Sequence, residues 1–140
     1  MKWILFILSV MYLGFVSCDE KEGYLVTKNA IYEPDTMIVR LTPDPKLDAV
    51  RIENKAPWQS LAMQGYEGTE RIDFSVESVT STVGEGAAAT FMQELEISGG
   101  GVMRYPFEGK SPAGRYTVAV RLTGPGHSQV VEKAFTFILK

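Results

Sequence analysis

The 140-residue sequence holds one cysteine and one histidine, and this scarcity removes several common kinds of site. A single thiol closes no intrachain disulfide, so the core must stand on packing. One thiol and one imidazole fall short of a four-ligand zinc centre. His127 is the one imidazole base on offer to a hydrolytic triad. It sits in Gly124-Pro125-Gly126-His127-Ser128, where no nucleophile-elbow pattern surrounds Ser128, and it reads as a solvated loop residue. Long apolar runs are also missing. Trp3–Val16 is apolar apart from Ser9, and as a helix it spans about 21 Å, short of the ~30 Å hydrocarbon core of a bilayer. Nor is there a strong charge of either sign: 14 basic against 17 acidic residues give −3. That mild negative balance argues against nucleic-acid binding and against a polybasic hold on membranes.

The short apolar run follows Lys2 and ends in small residues, the pattern of a secretory signal peptide over residues 1–17. It closes on Phe15-Val16-Ser17-Cys18 and is followed by Asp19-Glu20-Lys21-Glu22. The tetrapeptide resembles the lipobox of bacterial lipoproteins, with Phe15 where leucine is usual. The charged run looks like the export tag of Bacteroidetes-type surface lipoproteins. The resemblance implies cleavage before Cys18, acylation of its thiol, and an outer-membrane, lipid-anchored protein at the cell surface. Membrane contact then runs through the lipidated Cys18, since each buried CH₂ contributes ~0.8 kcal/mol. Residues 18–23 read as an acidic tether and 24–140 as one domain.

Beyond the tether, Gly and Pro recur at short intervals and the residues between them alternate. Met37, Val39 and Leu41 share one face. Ile72, Phe74 and Val76 share another, as do Tyr116, Val118, Val120 and Leu122. Val131, Lys133, Phe135, Phe137 and Leu139 keep the rhythm with one polar exception. These are half-buried strands. Tyr24–Val26, Ala49–Ile52, Gln59–Met63 and Val102–Phe107 are expected as shorter ones. The expected fold is all-β: an antiparallel β-sandwich of seven or eight strands. One segment departs from it. Ala87–Leu95 is rich in helix formers, with Phe91 and Leu95 at i, i+4, and is expected as a short helical crossover between sheets.

Ser111-Pro112-Ala113-Gly114-Arg115-Tyr116-Thr117-Val118 carries a Gly-x-Tyr at the start of a β-branched strand. It resembles the tyrosine corner of immunoglobulin-like sandwiches, where the ring fills a corner and the hydroxyl bonds nearby backbone. Without a Cys…Trp…Cys framework the resemblance is to disulfide-free immunoglobulin-like modules of bacterial surface proteins. Gly114 is expected to matter most if its φ is positive.

Chemistry-bearing patterns are few, and no catalytic residue, cofactor or metal site is expected. Seventeen acids make carboxylate pairs inevitable, so none can be singled out as a glycosidase pair. Asp44 and Asp48 flank Pro45 and Lys46, which reads as a turn rather than a calcium loop. Gly99-Gly100-Gly101 lacks the Lys-Ser/Thr of a P-loop and reads as a bulge or tight hairpin. Trp58, after Ala56-Pro57, and Tyr66, in Gln64-Gly65-Tyr66, are the candidate ligand-binding rings, though a tryptophan in a sandwich usually belongs to the core. The expected function is a non-catalytic binding or adhesion module whose ligand is a glycan or an envelope partner protein. The alternative is a structural module of a larger surface assembly.

Overall fold

The structure is a computed structural model, and it describes residues 23–140. The expected signal peptide 1–17, Cys18 and all of the tether but Gly23 lie outside the described residues. The chain is all-β and sandwich-like, with short helices. In order it forms β1 (Leu25–Val26), β2 (Thr36–Val39), α1 (Ala49–Asn54), β3 (Trp58–Gln59) and β4 (Glu67–Gly68). Then come β5 (Asp73–Ser81), α2 (Glu85–Glu94), β6 (Glu96–Ile97), β7 (Met103–Tyr105), β8 (Gly114–Gly124) and β9 (His127–Leu139).

The larger sheet runs β2-β9-β8-β5 and the smaller β3-β7-β6, while β1 and β4 pair as a two-stranded ribbon. Every pairing is antiparallel except β2 with β9, which is parallel from Thr36–Thr136 to Val39–Leu139. Helix α2 carries the chain from β5 in one sheet to β6 in the other, as the helix-forming run at 87–95 implied. Its Phe91 is fully buried between the layers, stacked on Tyr116 of β8 at 4.5 Å and on Tyr105 of β7 at 5.0 Å. Burying one such side chain contributes roughly 1.5–3 kcal/mol.

The alternation seen in the sequence is the alternation of the core. Tyr116, Val118, Val120 and Leu122 of β8 are all buried, as are Phe135, Phe137 and Leu139 of β9. The polar exception, Lys133, marks a break in pairing: Val118 faces Phe135 and Val120 faces Val131, so Ala119 stands against three residues of β9. Lys133 adopts φ 48 in that bulge and points to solvent. A second bulge, at Glu77 of β5, reverses the facing and returns Val79 to the core side.

The tyrosine corner is present. The Tyr116 hydroxyl donates to Pro112 O at 2.7 Å. The loop before it is held by Glu94 at the end of α2, whose carboxylate accepts from Ser111 Oγ at 2.5 Å, Tyr105 Oη at 3.1 Å and Lys110 N at 2.6 Å. Gly114 has no positive φ, so the condition set for its importance at the corner is not met. It is constrained by space instead, because a Cβ there would lie 3.1 Å from both methyls of Val83.

Four other local expectations change. Ala49–Ile52 is helical rather than extended, because the turn before it nucleates a helix. Asp44 Oδ1 accepts the N–H of Lys46 and Leu47, and Asp48 N and Ile52 N bond back four residues to Asp44 O and Asp48 O. Lys55 closes the helix in the left-handed region at φ 50, ahead of Pro57. The strand expected at Gln59–Met63 is confined to Trp58–Gln59, and that at Val102–Phe107 to Met103–Tyr105. Gly99–Gly101 is a 3-10 turn in which Gly100 and Gly101 take φ 75 and 81.

Candidate functional site

The two rings singled out in the sequence are placed apart and differently. Trp58 is only 5% exposed and pairs across β3–β7 with Tyr105. Its indole is covered by cations: the Arg51 guanidinium carbon lies 4.0 Å from the ring centroid and that of Arg40 lies 5.3 Å away. Arg51 donates to Pro57 O at 2.6 Å, and Arg40 grips Asp48 through two hydrogen bonds, one of them 2.7 Å from Nε to Oδ2. The Arg40 guanidinium, with the Asp44 N–H, holds the buried Asp48 carboxyl down at about 2. These contacts close the Asp44–Asp48 turn on itself, and no metal-ligand cluster exists among the described residues. Tyr66 is half-buried and meets Phe74 edge-on at 5.2 Å.

His127 is exposed at the β8–β9 hairpin, and Ser128 Oγ accepts from Arg121 at 2.5 Å. Among the described residues neither stands in a triad.

An open groove of ≈ 770 Å³ lies elsewhere. It runs between the Ala30–Asp35 segment and the bulge of β9 at Val131–Ala134. Tyr32 forms its floor, fixed edge-on against Phe135 at 5.5 Å and by a 2.6 Å hydrogen bond from its hydroxyl to Gly101 O. Burial pushes the Tyr32 hydroxyl far above its ordinary pKa, with Tyr66 nearby adding to the shift. Gly101 is required here, since a Cβ at its φ of 81 would meet the Tyr32 oxygen at 2.7 Å. One wall is pinned by the reciprocal bonds between Ile31 and Gln64, so Tyr66 sits just behind it.

The rim carries Glu33, Asp35 and Glu132, all exposed, and Lys133. A non-glycine residue in the left-handed region costs on the order of 1 kcal/mol, and such strain concentrates where a side chain is being aimed. None of these rim residues was a sequence candidate. Lys133 alone left a trace, as the polar residue that interrupts an apolar face. Glu33 and Asp35 sit in a turn whose partner strand lies a hundred residues away.

No protein-family model matches the chain, and no curated protein matches it. Among solved structures its fold is similar to part of a SusE-like surface-located polysaccharide-binding protein from the heparin utilisation locus of Bacteroides thetaiotaomicron. The TM-score is 0.53 at 16% sequence identity, over 86% of this chain and 16% of that one. The chain therefore spans about a sixth of that protein's length.

Proposed function

We propose that this chain is a non-catalytic, lipid-anchored module of the outer-membrane surface that binds a polysaccharide. The observation that carries the reading is the fold shared over 86% of the chain with a surface polysaccharide-binding protein. The lipobox-like Phe15–Cys18 and the acidic run after it support the address. The groove above Tyr32 is the site best suited to sugar: carboxylates and an ammonium on its rim pair with hydroxyl donors and acceptors, and Ile31 adds an exposed apolar wall. Three carboxylates against one lysine disfavour a polyanion, so the ligand is a neutral glycan rather than a sulfated one. Affinity electrophoresis through gels containing neutral polysaccharides, with heparin as the anionic comparison, tests this. Retardation by a neutral polymer, lost in Glu33→Gln/Asp35→Asn with folding intact, is the expected result. Retardation by heparin alone would overturn the neutral assignment.

One observation favours a second reading, that of a structural module. Among the described residues Tyr24, 54% exposed, is the one aromatic ring that is exposed rather than buried or half-buried. Sugar sites on β-sandwiches usually offer such rings to stack on. Failure of every polysaccharide to retard the protein would favour this reading.

A further inference from the structure

Strand β5 ends the larger sheet. Among the described residues its one hydrogen-bonded neighbour is β8, and no strand lies beside its other edge. Which backbone groups face that edge is set by the pairing. Thr82 N donates to Arg115 O at 3.1 Å, so Thr82 faces β8. In an antiparallel pair the facing alternates, so Thr80 also faces β8 while Val79 and Ser81 turn their N–H and C=O outward. Neither outward backbone pair has a backbone partner among the described residues.

The outward edge does not open on flat solvent. Helix α2 stands alongside it, and the two enclose a slot of ≈ 590 Å³ between residues 77–81 of β5 and the helix face bearing Glu85, Ala88, Ala89 and Met92. The helix face is made of small residues and one flexible thioether, which leaves room for a main chain and adapts to its side chains. Five strand residues run about 17 Å. The lining holds two carboxylates, Glu77 and Glu85, and no cationic side chain. Glu77 is already paired with Arg121, at 2.7 and 2.9 Å, whereas Glu85 has no salt-bridge partner among the described residues.

The geometry points to a strand-addition site: an extended segment of a partner polypeptide, with a basic residue opposite Glu85, pairs with β5 through Val79 and Ser81 beneath α2. Main-chain bonds to a free edge supply affinity in such complexes, and the flanking pocket selects side chains. The site is separate from the groove above Tyr32 and stands or falls independently of polysaccharide binding.

The test uses the full chain in detergent and a fluorescent synthetic peptide of alternating Val and Thr with a lysine at each end. Binding by anisotropy is expected, together with slowed amide exchange at Val79 and Ser81. Val79→Pro removes one outward N–H without touching the β8 ladder and should weaken binding at least about tenfold. A peptide N-methylated on alternate residues should fail against the unaltered protein, which keeps the test valid if Val79→Pro perturbs folding. Exchanging the lysines for glutamates should also weaken binding. No binding up to millimolar peptide, or binding indifferent to N-methylation, would overturn the proposal. So would amides of Val79 and Ser81 already protected in the free protein. Protection that grows with protein concentration would give the edge to a second copy, and protection independent of it would give the edge to the chain's own residues 1–22.

Discussion

Arg51 lies over Trp58 with its guanidinium carbon 4.0 Å from the indole centroid, while its Nη1 donates to Pro57 O at 2.6 Å. One side chain thus ties α1 to the start of β3 and roofs the tryptophan. The indole is a structural element of this corner. Trp58→Ala is expected to cost ~3–5 kcal/mol, the cavity penalty of a buried aromatic, and Arg51→Ala ~0.5–2 kcal/mol. Urea titration reads both. A Trp58→Ala protein of unchanged stability would mean that the ring is not packed as described.

The tyrosine corner gives a second comparison. Tyr116→Phe strips the donor from Pro112 O and is expected to cost about 1–3 kcal/mol, with the ring stack on Phe91 retained. Gly114→Val should cost at least as much, because its side chain must displace Val83. Thermal melts decide, and Gly114→Ala should fall between wild type and valine.

The Arg40–Asp48 pair makes stability depend on acid. The Asp48 carboxyl titrates at about 2 in the folded protein, against 3.8 for the free group, so the folded state holds its proton less tightly. The contribution is complete above about pH 4 and disappears as the pH falls through 2. Melting temperature should drop over that window in the wild type, and the part due to this pair should vanish in Arg40→Gln. An identical acid profile in the variant would exclude the pair as its source.

The lipid anchor is tested at Cys18. Cys18→Ala is expected to move the protein to soluble fractions and to abolish metabolic palmitate labelling. Labelling that persists would refute the lipobox reading.

The long strands are legible in the sequence because each presents one face to a large core, so that period two is written directly in β8 and in the second half of β9. What the alternation conceals is any residue inserted into it. Glu77 reverses the facing of the residues after it, whereas the Glu132–Ala134 bulge keeps the parity and only turns Lys133 out of the apolar face, and the partner strand alone reveals either insertion. Helix α1 escapes the pattern for the opposite reason. Val50 and Ile52 sit at strand spacing, yet Val50 is 71% exposed, and the turn and the Arg40–Asp48 contact decide the conformation instead. Trp58 stands at a strand's first residue, where parity assigns no side. The groove joins a turn near residue 33 to a bulge near residue 133, a juxtaposition that local pattern cannot express.

The parallel pairing of β2 with β9 has a mechanical consequence. The chain enters at Gly23, beside Pro125 at the β8–β9 hairpin, and reaches Lys140 at the opposite end of β9, where Lys140 N bonds to Val39 O. Tension applied between an anchored N-terminus and a load on Lys140 first peels the two-residue β1–β4 ribbon. It then pulls β2 and β9 in opposite directions along their own axes. The four register pairs between them are loaded together in shear rather than opened one at a time. Force spectroscopy should therefore show a weak first yield and a stronger second one, with the β2–β9 ladder acting as a clamp against extension.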